Sequence, residues 1–335
     1  MMDIKRAKSS KETILSCVKL KKYFRVRGKF FNLKPKWVKA VNDVSIDIQR
    51  GETLGMVGES GCGKSTFAKT IAGIYQPTEG KIYFKGEEVS LKNKNKSFWR
   101  DIQYLHQDPA SSLDPWWEIG RTIKEPLKIH CNELSDDEMN HEAKNILKFV
   151  GLKEEYFSRY PHELSCGQQR RVGLARILIL KPKVIIFDEP TAGLDVSLQG
   201  TILKLLEKIK NQFNLTYIII SHNLVVVCLV SDRIAVTYLG NVVEIGETKT
   251  IWEEPLHPYT KMLFSALPKI EIIEDEQGIE SSQVESIVGE IPDPQISYPG
   301  CSFEPRCSAA KDICKEKVPV LKDVSKNHMV SCHFF

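Results

Sequence analysis

"TLGMVGESGCGKSTFAKTIAGI", Thr53 to Ile74, decides the fold. "TLGMVG" is a short apolar run and reads as a buried strand, and "KSTFAKTIAGI" reads as a helix. Between them "GESGCGKST", Gly58 to Thr66, fits the G-x-x-x-x-G-K-[ST] pattern in the strand–loop–helix setting that the pattern requires. Gly58, Gly61 and Gly63 let the backbone wrap closely around phosphates. The N–H groups of the loop through Glu59, Ser60 and Cys62, up to Thr66 at the helix start, point at the anion. Lys64 brings a mobile positive charge to the β- and γ-phosphates, and the Ser65 hydroxyl can ligate Mg²⁺. The segment reads as a nucleotide site rather than as a glycine turn that merely caps a helix.

The rest of the chain supplies a matching frame. "KVIIFDE" and "TYIIISH" are short, fully apolar strands separated by the helix "SLQGTILKLLEKIKNQF". Strands alternating with helices indicate a parallel sheet covered on both faces. Between Ile14 and Val57, alternations such as "VSIDI" suggest strands at a sheet edge, interrupted by a basic loop between Arg25 and Lys36. From about Pro109 to Arg176 the pattern is mostly helical, with "DEMNHEAKNILKFVGL" ending at Gly151. After Pro268 the chain turns acidic and irregular, as a linker does, before a Cys-bearing tail.

Bulk properties exclude several classes. A chain of 335 residues with 42% hydrophobic and 27% charged residues is ordinary for a soluble globular protein. Its net charge of +4 gives no case for nucleic acid as a main partner. The longest apolar run, Leu224 to Val230, falls far short of the roughly 18–20 residues that span a bilayer. The basic N-terminus lacks the apolar core of a signal peptide. The expectation is a cytoplasmic protein with reduced thiols, and nine cysteines, an odd number, argue against a disulfide framework.

Asp188 and Glu189 end the strand "VIIFDE" side by side. Neighbouring side chains on a strand point to opposite sides, so the two cannot share one role. Asp188 is expected to steady Mg²⁺ directly or through water. Glu189 would face the γ-phosphate and act on the attacking water as base or orienter. His222 closes "YIIISH" and should emerge at the same sheet edge, where ligands of open parallel sheets bind. It is expected to contact the γ-phosphate and the catalytic water. Gln107 in "YLHQDP" ends another strand, and its amide is expected to reach Mg²⁺ and the same water.

With "YPHELSCGQQRRVGLAR", "DEPTAGLDVS", "ISHNL" and "HPYTKMLFSALP", these pieces resemble the ATP-binding subunit of an ABC transporter, in the oligopeptide/dipeptide (nickel) importer branch. The extended loop before "KAVNDVSIDIQRGETLG" is similar to the second, F-type ATPase of that branch's pair. The resemblance covers almost the whole chain. It implies an α/β P-loop NTPase of ABC type: a RecA-like core, an antiparallel β edge and a helical subdomain at about 109–176. The nucleotide-binding domain would span 13–265, with a linker and small Cys-rich C-terminal extension over 266–335.

The resemblance implies two ATPase subunits packed head to tail, each signature turn facing the other's phosphate loop. Ser165 would cap a helix and offer its hydroxyl to the γ-phosphate, Gly167 would allow close approach, and Gln168 would bond near ribose or phosphates. Asp195, within the variant "TAGLD", would contact the facing subunit. Arg170 and Arg171 carry no assignment. Adenine would stack on an aromatic ring of "KKYFRV", with Phe24 favoured over Tyr23.

The partners implied are two membrane permease subunits, a second ATPase subunit that is a paralogue of this one, and indirectly an extracytoplasmic substrate-binding protein. The location implied is peripheral, on the cytoplasmic face of the cell membrane. Trp116 and Trp117 are candidates for the permease contact, because aromatics are enriched at interfaces. Function then reads as ATP hydrolysis driving peptide import, with nickel or sugar fragments as other cargoes. Cys166 stands where the family's signature has its first Gly, so a weakened, mainly regulatory subunit stays open. A soluble ABC ATPase acting on DNA or ribosomes should carry a long coiled coil or tandem ATPase halves, and neither is present.

Cys301, Cys307, Cys314 and Cys332 form C-x₅-C-x₆-C-x₁₇-C. Four thiolates suit structural zinc or an iron–sulfur cluster, and charge and softness alone do not separate them. The resemblance implies a 4Fe-4S cluster. His328 and His333 lie nearby and could substitute as ligands, but they read more readily as chance surface histidines.

Overall fold

Two sheets carry the fold in the computed structural model, which describes residues 12–26, 36–90, 96–106, 112–131, 133–265, 296 and 298–335. In chain order the strands are β1 (Thr13–Val26), β2 (Lys36–Gln49), β3 (Thr53–Val57), β4 (Glu79–Phe84), β5 (Glu87–Glu88) and β6 (Ile102–Leu105). They continue as β7 (Val184–Asp188), β8 (Thr216–Ile220), β9 (Arg233–Tyr238), β10 (Asn241–Glu247), β11 (Lys322–Ser325) and β12 (His328–Val330).

One sheet, in the order β2-β1-β4-β5, is antiparallel and forms the expected edge. The other runs β11-β12-β10-β9-β3-β8-β7-β6. Its stretch from β9 to β6 is parallel, as the alternation of strands and helices requires.

Burial follows the two-residue period of the strands. Ile185 and Phe187 of β7, with Tyr217 and Ile219 of β8, enter the core shared with the helical region. Their neighbours Val184, Ile186, Ile218 and Ile220 join Leu54, Met56 and Phe67 in a second core toward the antiparallel sheet. Both faces of the parallel strands are thereby covered, and their C-terminal ends are left for chemistry.

The helical region contains Ile119–His130, Asp136–Phe149 and Cys166–Leu178. The second of these starts in a capping box between Ser135 and Glu138 and gives way to Gly151 at φ +78°.

The C-terminal region was expected as an appendage, and the structure makes it an edge of the central sheet. β12 pairs antiparallel with β10, Glu244 opposite Val330 and Ile245 opposite Met329. Phe303 packs its ring 5.2 Å from Tyr238 and 5.4 Å from Tyr259. The fully buried Glu244 accepts the N–H groups of Leu256 and His257, and His328 Nε2 lies 2.8 Å from its carboxylate. A strand pair about a quarter of the chain apart in sequence leaves no local signal. The expected linker after Pro268 and most of the basic loop between Arg25 and Lys36 lie outside the described residues. Among the described residues no helix is long and apolar enough to cross a membrane.

Candidate nucleotide site

The phosphate loop leaves β3 and enters the helix Lys64–Ile71. Two glycines are required by geometry. Gly63 sits at φ +104°, where a Cβ would lie 1.9 Å from the Ala40 carbonyl oxygen. Gly58 sits at φ +149°, where a Cβ would lie 2.2 Å from the carbonyl oxygen of Thr237. The buried Lys64 ammonium arches back over the loop and donates to the carbonyls of Gly58, 2.7 Å, and Glu59, 2.9 Å. Ser60 and Gly61 are exposed, whereas Cys62 turns its thiol inward, 3.1 Å from the Thr237 hydroxyl. Only main-chain groups of Cys62 therefore remain for an anion. The Glu59 carboxylate is likewise engaged, by Arg306.

The two acids part company, but not by strand alternation: β7 ends at Asp188, and Glu189 lies one residue beyond it. Ser65 Oγ donates to Asp188 Oδ1 at 2.9 Å, and the Tyr104 hydroxyl donates to Oδ2 at 2.5 Å. A hydroxyl and a carboxylate already meeting beside the loop are hard oxygen donors, which fit Mg²⁺. Glu189 occupies the left-handed region at φ +55°, uncommon for a side chain with a Cβ. Its carboxylate meets His222 Nδ1 at 2.8 Å and accepts the His222 N–H at 3.1 Å and the Ser221 hydroxyl at 3.4 Å. Gln107 lies outside the described residues.

Ser165 caps the helix Cys166–Leu178 in a reciprocal capping box with Gln168. Gln168 also donates to the Tyr156 hydroxyl at 3.0 Å, so its amide is held within its own chain. Cys166 is exposed at the first helical position, and a Cβ on Gly167 would meet nothing within 4 Å. Asp195 caps the helix Val196–Phe213 by accepting the Leu198 N–H at 2.9 Å. The paired arginines have separate tasks. Buried Arg170 donates to the carbonyls of Pro190 and Ala192, tying the signature helix to the turn that follows Glu189. Arg171 donates to the carbonyls of Val150 and Gly151 at the end of the helix Asp136–Phe149.

Known proteins with this arrangement are numerous. Residues 41–192 match the family described as ABC transporter, and residues 243–314 the family described as oligopeptide/dipeptide transporter, C-terminal region. The chain is 43% identical over 330 residues to the oligopeptide transport ATP-binding protein AppF of Bacillus subtilis (strain 168), covering 98% of this chain and 99% of that protein. This chain belongs to the oligopeptide/dipeptide branch of the ABC transporter ATP-binding proteins.

Other members are similar over comparable lengths. The ABC ATP-binding protein described here is 42% identical to OppF of Salmonella typhimurium, covering 96% of each chain. It is 40% identical to the di/tripeptide transport ATP-binding protein DppF of Pseudomonas aeruginosa, covering 96% of this chain and 98% of that one. Among solved structures it resembles cbiO1 of Clostridium perfringens, part of the ABC transporter complex cbiONQ. The TM-score is 0.62 and the identity 30%, over 72% of this chain and 92% of that one. It also resembles MJ0796, an ATP-binding cassette solved as a dimer with ADP and Pi. There the TM-score is 0.61 and the identity 27%, over 70% of this chain and 99% of that one.

The remaining site residues of this ABC protein divide by their contacts. Tyr23 spends its hydroxyl on Asn42 Oδ1 at 2.6 Å. Phe24 is 36% exposed, edge-on to Tyr75 and with the Lys22 ammonium over its ring, so it retains a usable face. Cys301, Cys307, Cys314 and Cys332 line one small cavity with His257, Phe303 and Pro319. Burial pushes the Cys301 thiol up to about 11, and it raises Cys307 as well. The donor chemistry fits a thiolate-bound group. Among the described residues, however, no three His, Cys, Asp or Glu side chains gather closely enough to hold a metal ion. The substitute ligands are otherwise occupied, His328 with Glu244 and His333 Nε2 at 2.8 Å from the Lys317 carbonyl oxygen.

Four contributors escaped sequence reasoning: Tyr104, Ser221, Tyr259 and Arg306. Tyr259 sits in "HPYTKMLFSALP", and its hydroxyl accepts the Glu59 N–H at 2.9 Å. Its signal was the motif itself, quoted without a role. Tyr104 in "YLHQDP" and Ser221 in "YIIISH" were likewise quoted without a role, and Arg306 had no local signal.

Proposed function

We propose that this chain is the ATP-hydrolysing subunit of an ABC importer that takes up oligopeptides or dipeptides through membrane permease subunits. The observation that carries the reading is the strained Glu189 paired with His222, one strand position beyond the Asp188–Ser65 pair and beside the phosphate loop. The names of the relatives, oligopeptide and di/tripeptide transport ATP-binding proteins, support peptide as cargo.

Lys64 and the loop N–H groups hold the β- and γ-phosphates, and Phe24 carries the adenine. Glu189 takes or orients the proton of the attacking water, and His222 fixes that carboxylate through both oxygens. Ser65, Asp188 and Gln107 are the residues to hold Mg²⁺, which supplies charge neutralisation on the phosphates when bound. Ser165 and Gly167 of a second ATPase subunit complete the γ-phosphate site, and Asp195 lies at that contact. The dimeric state of MJ0796 supports a paired arrangement. Trp116, 85% exposed, serves the permease contact on the cytoplasmic face of the membrane. Trp117 is half-buried under Arg121, whose guanidinium lies 3.9 Å from its ring. An extracytoplasmic binding protein delivers the cargo.

The test is reconstitution in vesicles with the permeases, the second ATPase subunit and the binding protein. Labelled tripeptide should accumulate only with ATP and wild-type protein, and accumulation unchanged by Glu189→Gln would reject the reading. For the cysteine cavity we propose a 4Fe-4S cluster, and what supports the reading is that all four cysteines line one small cavity. Protein purified without oxygen should be brown and absorb near 400 nm, and colourless protein without iron would exclude it.

A further inference from the structure

The second residue of the phosphate loop is held from the far end of the chain. Both carboxylate oxygens of Glu59 accept from the Arg306 guanidinium, each at 2.8 Å. The pair is enclosed, with 5% of the Arg306 side chain and 10% of the Glu59 side chain exposed. Tyr238 and Phe303 lie beside the guanidinium, their ring centroids 5.9 and 6.0 Å away. Glu59 is gripped at two other points, its N–H by Tyr259 and its carbonyl by Lys64. The same lysine is the cation expected to reach the phosphates.

Arg306 is placed by the turn between two of the cavity cysteines. Glu304 donates its N–H to the Cys301 carbonyl, Arg306 to Phe303, and Cys307 to Glu304, closing the short helix Glu304–Arg306. Cys301 N–H donates in turn to the Cys314 carbonyl at 2.7 Å. Displacing that turn withdraws the guanidinium and leaves a carboxylate under the phosphate loop with its buried partner gone.

We infer that Arg306 is a positioning residue for the nucleotide site: through Glu59 it holds the phosphate loop in its gripping shape, so nucleotide affinity depends on the seating of the 301–307 turn. Coupling of this kind is reciprocal, so bound nucleotide must tighten the turn by the same factor. The inference rests on the phosphate loop being the nucleotide site.

The experiment uses the full chain and ADP as probe. In wild-type protein, ADP should slow hydrogen exchange of the amides of Phe303, Glu304, Arg306 and Cys307 about fivefold or more. Arg306→Gln should weaken ADP binding by about tenfold and abolish that protection, while Glu59→Gln/Arg306→Gln, which leaves no bare carboxylate, recovers part of the affinity. In the assembled transporter, Arg306→Gln should raise KM for ATP with kcat within about twofold, a split that general loss of structure does not produce. Equal exchange with and without ADP in wild type overturns the latch even if the variants fail to fold. So does unchanged ADP affinity in a folded Arg306→Gln. Wild-type protein that binds no ADP, like a Lys64→Ala control, overturns the assignment of the loop itself and the latch with it.

Discussion

His222 and Glu189 are joined twice, imidazole Nδ1 to Oε2 at 2.8 Å and main-chain N–H to Oε1 at 3.1 Å. The double contact fixes the plane of a carboxylate whose own backbone is strained at φ +55°. For the proposed role as base the carboxylate must be both placed and aimed, and the two bonds serve these needs separately.

Glu189→Gln is expected to keep ATP binding and to lower turnover by about 10²–10³-fold, since the amide cannot accept a proton. His222→Ala should also bind ATP, and should lose turnover because the remaining N–H contact no longer orients the carboxylate. Nucleotide affinity and steady-state phosphate release measured on the same preparations check both.

Tyr104 is a further handle on the same site. Burial, and then its bond to Asp188, push the phenol above its ordinary range, so it stays a donor. Tyr104→Phe frees one oxygen of Asp188 and is expected to raise the Mg²⁺ concentration for half-maximal ATPase by up to roughly tenfold. The measurement is a Mg²⁺ titration at saturating ATP, where maximal turnover should change little.

Cys166 is expected to be tolerated in the signature turn. It is exposed, and the Ser165–Gln168 capping box is complete with it in place. Cys166→Gly should therefore alter ATPase activity by no more than about twofold, the loss of helix propensity from Cys to Gly being roughly a few tenths of a kcal/mol. A large gain in activity would mean that the thiol obstructs the partner's nucleotide.

The C-terminal edge of the sheet depends on Glu244 and His328. His328→Ala removes one of three donors from a fully buried carboxylate and should destabilise the protein by about 1–3 kcal/mol. Denaturant unfolding of wild type and variant would show the difference as a lower midpoint at an unchanged slope.

Much of the site is legible because its parts are contiguous. The phosphate loop, the strand-end pair Asp188 and Glu189, and the cap at Ser165 each lie within a few residues, where backbone geometry and spacing dictate the outcome. Arg170 illustrates the limit. Its guanidinium joins the helix Cys166–Leu178 to the carbonyls of Pro190 and Ala192, and nothing in "GQQRR" distinguishes it from the neighbouring Arg171. The C-terminal cysteines likewise suggested a separate appendage, because their own spacing says nothing of what the chain between and after them packs against.

The amino-acid order alone thus determined a P-loop sheet with its nucleotide grip and paired acids, since strand alternation and a glycine loop act through near neighbours. Only the tertiary structure decided that β12 extends the central sheet and that Arg306 reaches Glu59 across 247 positions. Such contacts come from the burial of Phe303, Tyr238 and Tyr259 together, and burial is a property of the folded whole.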